Sequence, residues 1–199
     1  QVLRDGGRTE KQAQPGKPAG SVHGDSVGVH ASDSVNAWRN IAAVSGDRNE
    51  LISLVAAAAH VATGNRWGNF RAPLPWAEHL AAVTATDPRS LLAEIDAAIR
   101  ASDQTRVSAA VQKYGGLGHA SGPVFELLLR YATSEDGSLH AEKYYRTVKE
   151  EFGRTRRAFR WRQLVALARV TASEYGRPAP GYDEACRLLK VSPTRTVRA

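Results

Sequence analysis

The sequence predicts an all-α fold, on three observations. Apolar residues recur at helical spacing in segment after segment. Most of these segments open on Ser, Asp or Pro and close near Gly, the residues that start and stop helices. No stretch alternates apolar and polar residues between hairpin-turn signals, so a sheet has no strands to draw on. Alanine dominates the apolar 42% of the 199 residues, which suits closely packed helices. The expectation is one domain of about eight or nine short antiparallel helices, as a bundle or stacked hairpins, with an extended N-terminal arm.

Residues 1–35 are rich in Gly, Ser, Pro and charge and show no sustained period, the composition of an arm that cannot bury itself. Such a segment stays ordered only where it lies against its own chain or along a partner. The helical domain spans 36–190. NAWRNIAAVSG comes first, with Asp33 or Ser34 as its cap and Ala37, Ile41 and Val44 on one stripe. ELISLVAAAAHVATG follows; Leu51, Leu54, Val55, Ala58 and Ala62 share a face, and Gly64 ends it. After the loop NRWGNFRAPLP, the segment PWAEHLAAVTA carries Pro75 in its first turn.

Asp87 and Pro88 open a helix whose stripe is Leu91, Leu92, Ile95, Ala98 and Ile99, and Asp103 caps QTRVSAAVQKYGG. GGLGHASGP is a flexible connection to PVFELLLRYA. Ser138 caps LHAEKYYRTVKEEF, FRWRQLVALARVTASEYG is a long helix ending before Gly176, and YDEACRLLKV is the last. Residues 191–199 are a basic tail. LISLVAAAAH…WAEHLAAV and VFELLLRYAT…LHAEKYYRTV suggest a loose duplication that makes His79 and His140 equivalent.

The formal charge of +7 and pI of 9.9 attract nucleic acid, an anionic surface or an acidic protein partner. A lone Cys186 excludes an intramolecular disulfide and a Cys-rich zinc site, and its place in DEACRLLK is that of a packing residue. The longest apolar run, LISLVAAAAHVA, is shorter than the ~18 residues of a membrane span. A soluble protein follows, cytoplasmic or, since the chain starts at Gln1 and holds no methionine, exported after signal removal.

The candidate chemistry centres on histidine. His140 stands in a first helical turn with Glu142 beside it and Tyr144 one turn on, an acid/base or metal-ligand arrangement. The helix start favours the neutral imidazole. The same residues also read as an ordinary capped helix with Glu142–Arg146 and Arg146–Glu150 ion pairs. His60, inside the most apolar helix, needs a hydrogen-bond partner there. His79 sits beside Glu78, and His119 lies in the glycine-rich run, where backbone can approach a ligand. If His60, His79, His119 and His140 converge, they line a pocket for a metal or haem. HExxH, CxxCH and GxSxG are all absent, and the HxE at His140 lacks the PCxxC of zinc deaminases.

RTRRAFRWR, from Arg154 to Arg162, packs five arginines around Phe159 and Trp161, residue types that grip phosphate and stack on bases. Helical spacing assigns Trp161, Leu164, Val165 and Ala168 to the core and Arg156, Arg160 and Gln163 to water. In NRWGNFRAPLPW, Trp67, Phe70 and Trp76 are either interface anchors or plugs for the helical layer. The leading reading is a non-catalytic helical subunit of a larger protein assembly, docked through its arm and through Arg156, Arg160, Trp67, Phe70 and Trp76. The alternative is a cofactor- or metal-dependent, oxidoreductase-like enzyme with a histidine-lined pocket. A third is nucleic-acid binding through the arginine run.

Overall fold

The structure, a computed structural model, describes residues 1–24, 26–66, 68–133, 139–176 and 181–192; of residues 65 and 139–141 only the backbone is described. Among the described residues there are nine α-helices, two short 3-10 turns and two isolated β-bridges, and no strand, so the fold is all-α. The chain forms two compact units, Gln1–Pro73 and Leu74–Ala199. No helix among the described residues is long and apolar enough to cross a membrane.

The first unit is a packed helix pair, α1 (Val27–Ala43) and α2 (Asp47–Asn65). Helix α1 begins at Val27, so residues 27–35, assigned to the arm by composition, are helical. The reason lies in its buried face, which carries Gly28, Asp33 and Asn36 beside Val29 and Ala31. Polar and glycine positions there hide the apolar period that sequence reading depends on. Gly28 is required: a Cβ at that position would stand 2.7 Å from the backbone of Val2.

The segment before α1 lies against its own chain. Gly6 N–H donates to the Asn69 carbonyl at 2.6 Å, and Arg71 N–H to the Arg4 carbonyl at 2.7 Å, around an antiparallel bridge between Asp5 and Phe70. The Asp5 carboxylate accepts from Gly7 N–H at 2.9 Å and from the Ser26 hydroxyl at 2.7 Å. Val2 and Val22 are buried, and the Gln1 side chain donates to the Val61 carbonyl at 3.2 Å. A low-complexity composition is thus held by local backbone pairing and two apolar pegs, which no periodicity would disclose.

The second unit comprises α3 (Ala77–Ala82), α4 (Pro88–Arg100), α5 (Gln104–Gly116), α6 (Gly122–Ala132), α7 (Leu139–Arg154), α8 (Arg160–Glu174) and α9 (Tyr182–Leu189). Its axis is α8, packed against α4, α5, α6 and α7 and buried at every residue from Leu164 to Glu174. Small residues at Ala166, Ala168 and Ala172 let neighbours approach, and two of the polar positions are bonded in place: Arg169 Nε donates to Gln104 Oε1 at 3.1 Å and the Thr171 hydroxyl to the Leu167 carbonyl at 3.0 Å.

Local signals set the ends of α4 and α5. The Asp87 carboxylate accepts from Ser90 N–H at 2.9 Å, and the Asp103 carboxylate from Thr105 and Arg106 N–H at 3.1 and 3.0 Å. Arg106 reaches across to Glu94 as a fork, at 2.6 and 2.9 Å, and that bond holds the Glu94 carboxyl below its usual range. Helix α3 starts later than Pro75 suggests: Trp76 is its cap residue, and its N–H donates to His79 Nδ1 at 3.2 Å.

Candidate functional site

The most unusual surface of the molecule belongs to α2. Within its unit this helix buries Ser53 and Ala57. At 100° per residue the stripe of Leu51, Val55, Ala58 and Ala62 lies roughly opposite those two. There Leu51 is 64%, Ile52 53%, Leu54 48% and Val55 62% exposed. The shared face expected from the sequence exists, and it points into water. A helix apolar on all sides normally sits in a core; this one gives its small-residue side to α1 and leaves its large side uncovered. Together with exposed Ala58, Ala59 and Ala62, the face amounts to roughly 500 Å², within the range of about 300–600 Å² for the largest patch on a monomer, which is often functional. Ile41 and Val44, expected on the buried stripe of the first helix, are also exposed, Val44 at 87%.

The histidines take separate roles. His60 is exposed on α2 and not enclosed by it, so water satisfies the imidazole that the sequence reading placed in a core. His79 accepts the cap hydrogen bond of α3 and stacks on Trp76 with ring centroids 5.1 Å apart. His119 bonds through Nε2 to the Thr86 carbonyl at 3.0 Å and leans on the Tyr114 ring at 4.9 Å. The side chain of His140 and its cap Ser138 lie outside the described residues, as do Trp67 and residues 193–199 of the basic tail. Glu142 is exposed, whereas Tyr144 is fully buried with Thr147 and Glu151. The side of α7 read as a working face is therefore interior, because α7 packs against both α6 and α8. Among the described residues no three His, Cys, Asp or Glu side chains are grouped to hold a metal.

Of the predicted docking residues, Phe70 is half-buried, its ring packed against Gly68 and its backbone paired with Asp5. Trp76 and Arg156 are exposed, Arg156 lying over the Phe159 ring at 5.2 Å. Arg160 departs from expectation: its Nε is buried, and its guanidinium lies over Phe152 at 5.5 Å. Trp161, expected in the core, is half-buried within a run of rings. Tyr145 meets Phe125 edge-on, Phe125 meets Phe152, Phe152 meets Trp161, and Trp161 meets Tyr114, with centroids 5.3–6.0 Å apart. Burial pushes the Tyr114 phenol above its ordinary pKa. The run ends beside His119, so the glycine-rich connection and the arginine run, far apart in sequence, share one cavity. Arg157 and Ser121 belong to that cavity with Phe152 and were not singled out from sequence; the arginine run was the one signal pointing there.

No family model matches the chain, and neither does any curated protein or solved structure.

Proposed function

We propose that this chain is a non-catalytic helical subunit of a protein assembly and that its assembly contact is the uncovered face of α2. The observation that carries this reading is the exposure of Leu51, Ile52, Leu54 and Val55 on a helix that buries its small side. At about 25 cal/mol per Å², covering that face offers on the order of 10 kcal/mol before the costs of association. The N-terminal segment, bonded to its own chain, leaves α2 as the stronger docking candidate.

The occupant is a second copy of this chain. Between Leu51 and Ala62 the helix carries no charged residue apart from the titratable His60, so like faces meet without burying an ion. Its bulk is graded: Leu51, Ile52, Leu54 and Val55 fill the N-terminal half, Ala58, Ala59 and Ala62 the C-terminal half. Antiparallel pairing about a two-fold axis sets large against small, Leu51 facing Ala62 and Val55 facing Ala58. The same register brings Asp47 of one copy beside Arg66 of the other. Such a contact covers roughly 1,000 Å² in total, the low end for a specific interface, and implies a micromolar dimer.

Sedimentation equilibrium on the full chain tests it. Dimer is expected above roughly 50 µM, and Val55→Lys, at an exposed position, is expected to give monomer with unchanged helix content. A wild-type protein that stays monomeric at about ten times that concentration, or a lysine variant that dimerises as well as the parent, overturns the proposal.

A further inference from the structure

The second unit holds a cavity of about 340 Å³ between the turn joining α5 to α6 and the start of α8. His119 and Ser121 line one side, and Arg157, Arg160, Phe152 and Trp161 the other. Among the described residues no carboxylate contributes to the lining. Two arginines thus border a space with no acidic residue among the described lining.

Two glycines shape the site. Gly118 has φ +81°, the left-handed turn that ends α5 and leads into His119. Gly115 lets the indole of Trp161 pack directly on the α5 backbone, since a Cβ there would stand 2.2 Å from the ring. The imidazole of His119 is fixed by its bond to the Thr86 carbonyl.

The polar groups are incomplete. Arg160 Nε is buried without a hydrogen-bond partner, a state that native structures rarely leave unexplained. Ser121 is the cap residue of α6, yet its hydroxyl makes no cap bond, so the first turn of an eleven-residue helix keeps its positive end unneutralised at the cavity edge. Two arginines and a helix start together ask for more than one negative charge. A phosphate dianion supplies it, with several acceptor oxygens for fork-like guanidinium donors. Phe152 and Trp161 add an apolar, aromatic wall, and the volume lies in the range of small-molecule sites.

We propose that this cavity binds a small molecule bearing a phosphomonoester and a flat ring, the phosphate held by Arg157, Arg160 and the start of α6, and the ring set against Trp161. The site lies wholly within the second unit and is independent of pairing through α2.

Calorimetric titration of the full chain with phenyl phosphate, inorganic phosphate and phenol at ~150 mM salt tests it. Phenyl phosphate is expected to bind at least tenfold more tightly than either fragment. Arg157→Gln and Arg160→Gln are each expected to weaken it about tenfold with helix content unchanged, and Val55→Lys to leave it intact. Three outcomes overturn the proposal: no heat from phenyl phosphate at millimolar concentration, equal affinity in both arginine variants, or a single-stranded oligonucleotide that displaces phenyl phosphate and whose own binding falls steeply with salt.

Discussion

Helices α2 and α8 are built from similar stock, leucine, valine and alanine, and end up in opposite circumstances. Helix α8 buries even Arg169 and Glu174, while α2 leaves Leu51 and Val55 in water. The difference is the number of neighbours. Four helices pack around α8, whereas in the first unit α2 packs on α1 through Ser53 and Ala57. Apolar periodicity says which residues share a face; it does not say how many layers cover that face. Local hydrophobicity is therefore a poor guide to burial in a unit of two helices and a good one in a unit of seven.

The sharpest way to break this comparison is to truncate one leucine in each helix. Leu167→Ala removes a fully buried side chain from the best-packed helix and should cost about 3 kcal/mol of unfolding free energy. Leu51→Ala, at a protein concentration low enough to keep the chain monomeric, should cost less than about 0.5 kcal/mol. Urea unfolding followed by circular dichroism measures both. Equal losses would mean that α2 is covered within its own chain, and both the contrast and the dimer would fall together.

A smaller effect probes the packing inside the second unit through adjacent glycines. At Gly115 a methyl group would collide with Trp161, whereas at Gly116 it would meet nothing within 4 Å. The collision should cost about 2 kcal/mol, offset by roughly 0.5 kcal/mol of helix preference gained. Gly115→Ala is therefore expected to destabilise by about 1.5 kcal/mol and to shift the tryptophan emission. Gly116→Ala should stabilise by about 0.5 kcal/mol, since only the helix term remains. If both variants stabilise, Trp161 is not seated against α5.

How much of this was legible in the sequence depends on range. The starts of α4 and α5 were readable because capping is local: Asp87 with Pro88, and Asp103, act on amides two or three residues away. The α4 stripe was readable in large part, since Leu91, Ile95, Ala98 and Ile99 turned inward while Leu92 is half-buried. The start of α1 was not, because its buried face carries Asp33, Asn36 and Gly28, whose burial depends on contacts such as that with Val2. Nor was the fate of Tyr144 and Glu151, because helical spacing cannot tell that α7 would be packed on two sides. The arginine run was visible as charge alone. That Arg160, its Nε buried, lines one cavity with His119 depends on residues distant in sequence, and no local pattern encodes that meeting.

A destabilisation smaller than that of Gly115→Ala is expected at the polar edge of the second unit, where the Tyr131 hydroxyl donates to Asp96 Oδ1 at 2.7 Å while Arg100 Nε donates to Oδ2 at 2.9 Å. Burial works to raise the Asp96 pKa, but the tyrosine and arginine bonds outweigh it and hold the carboxyl below its usual value. The Tyr131 phenol is pushed well up, by burial first and by the carboxylate second. A carboxyl depressed by folding contributes stability above its unfolded pKa, and that contribution is lost as pH falls through the folded value. Tyr131→Phe removes one donor and should cost about 1 kcal/mol at pH 7. The gap from the parent should narrow as pH falls from about 4, the unfolded carboxyl value, through the lower folded value. A loss constant from pH 7 down to pH 3 would show that the hydroxyl does not act through the charge of Asp96, since phenylalanine keeps the ring that meets Tyr175 with centroids 5.7 Å apart.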